Sequence, residues 1–308
     1  MKYKAIQLSL PFDEGEQHIS IRSEILPIDD KEQHVPIIPK ALPFVKWVGG
    51  KRKLVDSIIA AAPSSFQRYV EPFLGGGAVA LALGYHPMLL NDANEELINV
   101  YMMVRDELDA LLSLLDEHQS NHSEEYFYKV RARDVAILGK LEQAARFIYL
   151  NKTCFNGLYR VNRHGNFNAP FGKYNNPILY NRSHMRNAST LLHRAELFSE
   201  DYHTFLTKHT HPGDFIYLDP PYAPISIYSD FKRYTKEQFR EKDQYMLAQL
   251  YDNLIALGAY PVLSNSYSEL TLHLYAKHDI HVVYAGRNIN NKGTGRNAVP
   301  EILVKPRQ

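Results

Sequence analysis

The stretch of this chain best suited to chemistry is Asp219-Pro220-Pro221-Tyr222, which opens into Ala223-Pro224-Ile225-Ser226. It follows Phe215-Ile216-Tyr217-Leu218, four β-prone residues that read as a buried strand stopped by two prolines. A carboxylate and a tyrosine are thereby fixed at the carboxyl end of a strand, the edge at which open α/β sheets bind ligands. A free amino group placed there could donate to Asp219 and to a neighbouring backbone carbonyl, with the Tyr222 ring against its flat face. An ordinary turn after a strand uses the same Asp-Pro chemistry, so the rest of the chain must decide.

Glu71-Pro72-Phe73-Leu74-Gly75-Gly76-Gly77 places a glycine turn after one predicted strand and before a small-residue helix. Glycine admits close backbone approach, and the amides of a helix start attract negative charge. The spacing is not G-x-G-x-x-G, which disfavours a dinucleotide. Asp92, 17 residues beyond Gly75, ends the next strand. That is near the roughly 20-residue offset at which an acidic residue accepts from ribose hydroxyls. The plain alternative is a cap for the helix that follows, and the glycine turn and Asp92 together favour a nucleoside-bearing cofactor over it. Upstream, Phe44-Val45-Lys46-Trp47-Val48-Gly49-Gly50-Lys51 holds the single Trp of the chain. Arg52 stands where a phosphate loop needs Ser or Thr, so ATP binding is rejected. A lysine there could instead hold a cofactor carboxylate, with Trp47 shaping the pocket.

The net charge of +1 hides an asymmetry. Residues 143–195 contain no Asp or Glu but carry Arg146, Lys152, Arg160, Arg163, Lys173, Arg182, Arg186 and Arg194, leaving −7 for the remainder. Nine asparagines and the aromatics Phe155, Tyr159, Phe167, Phe171 and Tyr174 interleave with them. Basic side chains attract a polyanion, asparagines read base edges and aromatics stack on bases. A solvated surface normally mixes both signs, so this segment points to nucleic acid.

These residues need a frame, and the patterning predicts one. Helical spacing covers residues 51–62; strands are expected at 69–73 and 88–90, with a helix at 78–83 between them. Asn94 is expected to cap one long helix through Leu97, Ile98, Tyr101 and Val104 towards Leu115, with further helices across 107–146. Strands at 195–198, 215–218 and 260–263, a helix at 236–257 and a final strand pair near 280–284 and 302–304 complete the alternation. The expected class is α/β: a Rossmann-like, doubly wound, mostly parallel sheet interrupted by a mainly helical insert. The expected division is an arm (1–40), a split catalytic unit (41–100 and 196–308) and a recognition unit (101–195). A single cysteine, Cys154, excludes an internal disulfide, and the scattered histidines suggest no metal site. No apolar run approaches the roughly 18 residues that cross a bilayer, and no signal peptide is apparent, so a cytoplasmic protein is expected.

Taken in order, FVKWVGGK, EPFLGGGA, LNDAN, LNKTCFNGLYRVNRHGNFNAPFGKY, SEDY, DFIYLDPPYAPIS and VLSNS resemble the Dam-type DNA adenine-N6 methyltransferases, a family whose members act on GATC. The resemblance spans residues 43–304. It implies S-adenosylmethionine as cofactor and duplex DNA as substrate. It implies cofactor contacts from Trp47, Lys51 (near the methionine carboxylate), Phe73, Gly75, Asp92 (ribose hydroxyls), Asp201 in SEDY (adenine ring) and Asp219. It also implies that the target adenine is flipped out of the duplex, with Asp219 and the Pro220 carbonyl taking its N6 amino group and Tyr222 stacking on the ring. For DNA, Arg160 matches an arginine that reads a guanine edge, and Lys46 reaches the same base. Phe155 stands at a wedging aromatic position flanked by Asn156 and Leu158. Pro170 and Lys173 match later recognition positions; some relatives carry Arg at the latter, which alone could make a bidentate contact.

Rival readings are a methyltransferase acting on cytosine N4 or RNA adenine, a nicotinamide oxidoreductase, and a DNA-binding relative that has lost catalysis. The last two leave the basic segment or the intact DPPY and glycine motifs unexplained. In the arm, Gln7-Leu8-Ser9-Leu10-Pro11-Phe12 resembles peptides that dock on the replication sliding clamp, although an edge strand or a chance match in an arm is the simpler reading. The protein is expected to be a monomer.

Overall fold

The computed structural model describes residues 41–162, 165–222, 239–285 and 299–307, together with the backbone of 21–22. The clamp-like hexapeptide, Arg163 and residues 223–238 lie outside the described residues.

In chain order the described elements are β1 (Ile21–Arg22), α1 (Val55–Ala60), β2 (Arg68–Glu71), α2 (Ala78–Leu83), β3 (Met88–Asn91), α3 (Glu95–Asp106), α4 (Leu108–Ser120), α5 (Glu124–Arg131), α6 (Lys140–Thr153) and α7 (Arg182–Leu192). They continue with β4 (Ala195–Phe198), α8 (Tyr202–His209), β5 (Asp214–Leu218), α9 (Glu241–Leu257), β6 (Tyr260–Ser266), α10 (Glu269–Leu274), β7 (Asp279–Ala285) and β8 (Val299–Lys305).

The strands form a single sheet in the order β1-β7-β8-β6-β5-β2-β3-β4. Every neighbouring pair is parallel except β6·β8 and β7·β8, so β8 alone runs against the rest. From β2 the chain winds outward through β3 to β4, then returns to the other side of β2 with β5. The reversal point therefore lies between β2 and β5, where doubly wound sheets open a ligand crevice. At the opposite edge Arg68 clamps this pair: its Nε and Nη2 donate to the two Asp214 oxygens at 2.8 and 2.7 Å.

Alternation along the central strands assigns side chains to the two faces. Tyr69, Leu90, Phe215, Tyr217 and Val262 join the core on one face, with residues of α1, α2, α3, α6 and α7. Val70, Leu89, Ile216, Leu218 and Leu263 join the other, with residues of α8, α9 and α10. Both faces are covered, which is why these strands read as continuous apolar runs. The expected doubly wound, mostly parallel α/β sheet is present.

The expected helix from Asn94 towards Leu115 is two helices. Asn94 does cap it, accepting from the Leu97 amide at 3.0 Å. The chain then leaves helical geometry at Glu107 (φ −132°, ψ 35°). The break re-aims the chain so that Leu111, Leu112 and Leu115 of α4 bury their own apolar stripe. Apolar residues at helical spacing on both sides of the break disguise it in the sequence. β6 runs three residues past the expected Leu263, because Ser264, Asn265 and Ser266 pair with β8 and are buried despite their polarity. Helix α3 runs unbroken across position 100, and α4–α7 share one buried cluster with the sheet.

Candidate active site and nucleic-acid interface

The carboxyl ends of β2, β3 and β5 carry Glu71, Asp92 and Asp219, and their parallel pairing brings all three to one edge of the sheet. Glu71 is the innermost. Its Oε2 accepts from the Tyr69 hydroxyl at 2.8 Å and the Ala80 amide at 3.1 Å, so it ties the glycine turn to the strand below. Burial pushes its carboxyl up to about 8 against those two hydrogen bonds.

The glycine turn is shaped by Trp47. Gly75 has φ +49°, and a Cβ there would lie 2.7 Å from Trp47 Cδ1, so only glycine fits beneath the indole. The indole in turn stacks with Tyr159 at 5.7 Å. The Tyr101 hydroxyl donates to the Gly75 carbonyl at 3.0 Å, and the Gly75 amide donates to Asp92 Oδ2. Asp92 Oδ1 accepts from the Asn94 amide at 2.9 Å. The half-buried Asp92 carboxyl is pushed up to about 6 by burial, opposed by these two amides. Asn91 staples the next loop in place by donating to the carbonyls of Pro72 and Glu200, both at 3.0 Å. Asp201 follows, exposed, capping α8 through the His203 and Thr204 amides at 2.9 and 3.3 Å. Phe73, half-buried, lies 5.2 Å from Tyr202 and 6.2 Å from Phe239 in an aromatic wall, within which the buried Tyr202 hydroxyl has no partner among the described residues.

Asp219 is the hub of the second half of the site. Its Oδ1 accepts from Ser264 Oγ at 3.0 Å, and Tyr217 donates to Ser264 at 2.8 Å from within the sheet. Lys51 Nζ lies 3.0 Å from the same oxygen. Lys51, expected at a cofactor carboxylate, is thus placed on the Asp219 carboxylate, and it also donates to the Gly49 carbonyl at 2.7 Å. Burial raises the Asp219 carboxyl while Lys51 and Ser264 lower it. Tyr222 presents its ring 4.6 Å from the same ammonium and donates its hydroxyl to Glu301 Oε2 at 2.6 Å. The Pro220-Pro221 turn is held from behind by the buried Gln244, which donates to the Pro221 carbonyl at 3.2 Å and accepts from Asn265.

Gln244 and Glu301 had no part in the sequence reading, and Ser264 entered it only within the VLSNS motif, with no role of its own. Ser264 and Asn265 lie in the VLSNS motif, whose polar residues in a strand were the available signal. Glu301 carries no local signal, because only the insertion of β8 beside β6 brings it to this edge.

The basic segment folds more selectively than its composition suggests. Arg146 is buried, donating to the carbonyls of Val130 and Arg131 at 3.1 and 2.9 Å. Arg182 and Arg186 face Asp116 and Asp109 of α4 at 3.2 and 3.6 Å. Counting charge along the chain therefore overstated the positive face, because acidic partners arrive from an earlier helix. Among the described residues the exposed cations of the motif are Arg160 and Lys173, and Lys46 upstream is exposed as well.

A turn at residues 155–157 follows α6 and is held to the 166–172 strip by paired backbone contacts, including the Phe155 amide on the Pro170 carbonyl at 2.9 Å. Phe155 and Pro170 are exposed there, Leu158 is half-buried, and Asn156 and Lys173 hold positive φ (56° and 57°). Gly157, at φ +62°, has no room for a Cβ, since Lys46 Cδ would lie 2.2 Å from it. Lys46 is thus seated on this turn, its backbone pinned on both sides by Asn151 at 2.7 and 2.8 Å. Its ammonium lies 4.7 Å from the Tyr174 ring centre. Arg160 is held by Asn168, whose side-chain oxygen accepts from Nε at 2.8 Å. The structure thus gathers Lys46, Phe155, Asn156 and Pro170 around one turn.

The strand order, both covered faces and the carboxylates gathered at one sheet edge are consistent with an α/β fold of the S-adenosylmethionine-dependent methyltransferase type. Comparison with known proteins narrows this. The model of the D12 class N6 adenine-specific DNA methyltransferases matches residues 47–289, and the chain belongs to that family. It is 38% identical over 268 residues to the Type II methyltransferase M1.LlaDCHI of Lactococcus lactis subsp. cremoris, covering 85% of this chain and 94% of that one. It is 37% identical to the Type II methyltransferase M.MjaIII of Methanocaldococcus jannaschii, over 85% and 98% of the two chains. It is 32% identical to the DNA adenine methylase of Escherichia coli (strain K12), over 85% and 94%. Among the described residues no helix is long and apolar enough to cross a membrane.

Proposed function

We propose that this protein transfers a methyl group from S-adenosylmethionine to N6 of an adenine flipped out of duplex DNA, within the sequence GATC, in the cytoplasm. The observation that carries the reading is Asp219, a carboxylate fixed by Ser264 at the sheet's reversal point and followed directly by Pro220 and Tyr222. The cofactor fits the residues present. Asp92 offers carboxylate oxygens to a diol, the Phe73–Tyr202 wall offers apolar surface, and the unpartnered Tyr202 hydroxyl offers a donor beside Asp201. Bound there, the cofactor supplies an electrophilic methyl group on a positively charged sulfur.

The chain's own residues do the rest. Flipping the base costs a few kcal/mol, offset by its new partners. Asp219 and the Pro220 carbonyl accept from the N6 amino group and turn its nitrogen towards the cofactor side of the crevice. The negative charge of Asp219 stabilises the positive charge that develops on that nitrogen, and alignment in a fixed pocket supplies further acceleration. Asp219 acts as an orienting acceptor rather than a proton-abstracting base; the N6 proton surplus after methyl transfer passes to solvent. Tyr222, its hydroxyl tethered, presents a flat face to the extruded ring. On the DNA, Phe155 wedges into the duplex, Arg160 and Lys46 read a guanine edge, and Asn156, Leu158, Pro170 and Lys173 complete the contact. This division of labour corresponds to a recognition unit at 101–195 and a catalytic unit at 41–100 and 196–308, acting as a monomer, with residues 7–12 docking on a sliding clamp.

Purified protein tests the reading directly. Labelled methyl groups should appear in duplex DNA as N6-methyladenine, and plasmid should become resistant to a GATC cutter that adenine methylation blocks. Label found in cytosine or only in RNA would transfer the reading to the corresponding rival. Clamp docking fails if a peptide of residues 1–20 does not bind purified clamp.

A further inference from the structure

Glu301 is the residue of the catalytic edge that no motif announces. It pairs in register with Ser266 at the end of β6, which places it at the edge that carries Asp219. Its Oε2 accepts the Tyr222 hydroxyl at 2.6 Å and lies 3.9 Å from Lys51 Nζ. Lys51 meanwhile sits 3.0 Å from Asp219 and has only 5% of its side chain exposed. One of the two oxygens that could receive an incoming amino group, Oδ1, is thus already engaged by both the Ser264 hydroxyl and an ammonium. That ammonium cannot simply retreat into water, because the pocket encloses it. The second carboxylate within reach is Glu301, and a shift of about 1 Å would bring Lys51 to ordinary ion-pair distance from it.

We infer that Glu301 is a positioning residue for methyl transfer: it fixes the Tyr222 ring through its hydroxyl and receives the Lys51 ammonium when an amino group occupies Asp219. The inference rests on the reading of Asp219 given above. Two negative charges then share one positive charge, so the ammonium can move between them without being stranded in a low-dielectric pocket. The same oxygen that takes Lys51 anchors Tyr222, which couples clearance of Asp219 to the presentation of the stacking ring.

The test compares the full-length wild type with Glu301→Gln and Glu301→Asp. Gln keeps an acceptor for the Tyr222 hydroxyl but removes the charge; Asp keeps the charge at shorter reach. Three readouts are taken: DNA affinity, single-turnover methylation, and the fluorescence of 2-aminopurine replacing the target adenine, which rises when the base leaves the stack. Glu301→Gln should bind DNA within about twofold of wild type, lose about tenfold or more in single-turnover rate, and show a smaller fluorescence rise per bound complex. Glu301→Asp should recover part of both losses. Glu301→Gln with wild-type rate and fluorescence would overturn the inference. So would a parallel fall in DNA affinity and rate with the fluorescence per complex unchanged, which marks a merely structural residue. Wild-type protein that neither methylates adenine nor raises the fluorescence would instead sink the underlying reading of Asp219.

Discussion

The Gly75 amide donates to Asp92 Oδ2 at 2.9 Å across the gap between the ends of β2 and β3. One backbone amide thus fixes the carboxylate proposed to hold ribose hydroxyls to the turn proposed to approach the methionine side. The Asn94 amide fixes the other oxygen. Each oxygen retains room for a further donor.

Cofactor binding should follow the ionisation of Asp92. Its carboxyl is pushed up to about 6, and hydroxyl donors favour the ionised form. Affinity for S-adenosylmethionine should be full above pH 6 and fall by about tenfold per pH unit below it. Calorimetric titration from pH 5 to 8 measures this, with Asp92→Asn expected to bind more weakly and with a flatter profile. A wild-type profile without an inflection near pH 6 would remove Asp92 from this role.

Glu71 should make the fold less stable as pH rises. Its carboxyl is raised to about 8 in the folded protein from an ordinary value of 4.5. Between those values the native state retains a proton that the unfolded chain has lost, so stability declines with pH at up to about 1.4 kcal/mol per unit and levels off above pH 8. Glu71→Gln, which keeps an oxygen for Tyr69 and Ala80, should lack this decline and gain relative to wild type at pH 8. Urea unfolding of both proteins at pH 5.5 and 8 isolates the difference; equal slopes would refute the assignment.

Asp219→Ala should abolish methylation while DNA binding persists. Loss of one preorganised acceptor for developing charge costs about 10²–10³-fold in rate, and the loss of amino-group orientation adds to it. Gel-shift affinity and single-turnover rate, measured on one preparation, separate the two effects. Turnover near that of wild type would end the mechanism proposed for the DPPY motif.

Sequence choice should depend on Arg160 and on the residue that holds it. Arg160→Ala should cost about 1–3 kcal/mol of discrimination at one base pair. Asn168→Ala frees the guanidinium from its 2.8 Å partner and should relax the same position to a smaller degree. Methylation-aware sequencing of DNA from cells expressing each variant displays the relaxed position directly. Unchanged specificity in both variants would place base reading elsewhere.

The fold was legible wherever local pattern and tertiary role agree. The helix at 78–83 and the strand at 195–198 lie where hydrophobic spacing put them. Asn94 caps because its side chain satisfies an amide three residues on, a purely local interaction. What escaped was non-local. The break at Glu107 answers to the packing of α4, the polar end of β6 is made strand-like by β8, and Glu301 reaches the site through sheet order alone. At the candidate site, Asp92 and Asp219 were visible because strand ends and breakers mark them. Lys51 was visible as a residue, but its placement on Asp219 was not, since the 167 intervening residues carry no trace of that proximity. The charge asymmetry of 143–195 was real in one dimension and partly cancelled in three, by Asp109 and Asp116.

The six-residue segment 46–51 reaches three parts of the candidate site. Lys46 is seated on Gly157, Trp47 roofs Gly75, and Lys51 grips Asp219. With the roles proposed above, such a segment behaves as a crankshaft: proposed reading, cofactor holding and chemistry all turn on one short piece of backbone. Engineering the reading head of this protein for a new target therefore means tuning this shaft as well as the bases' direct partners.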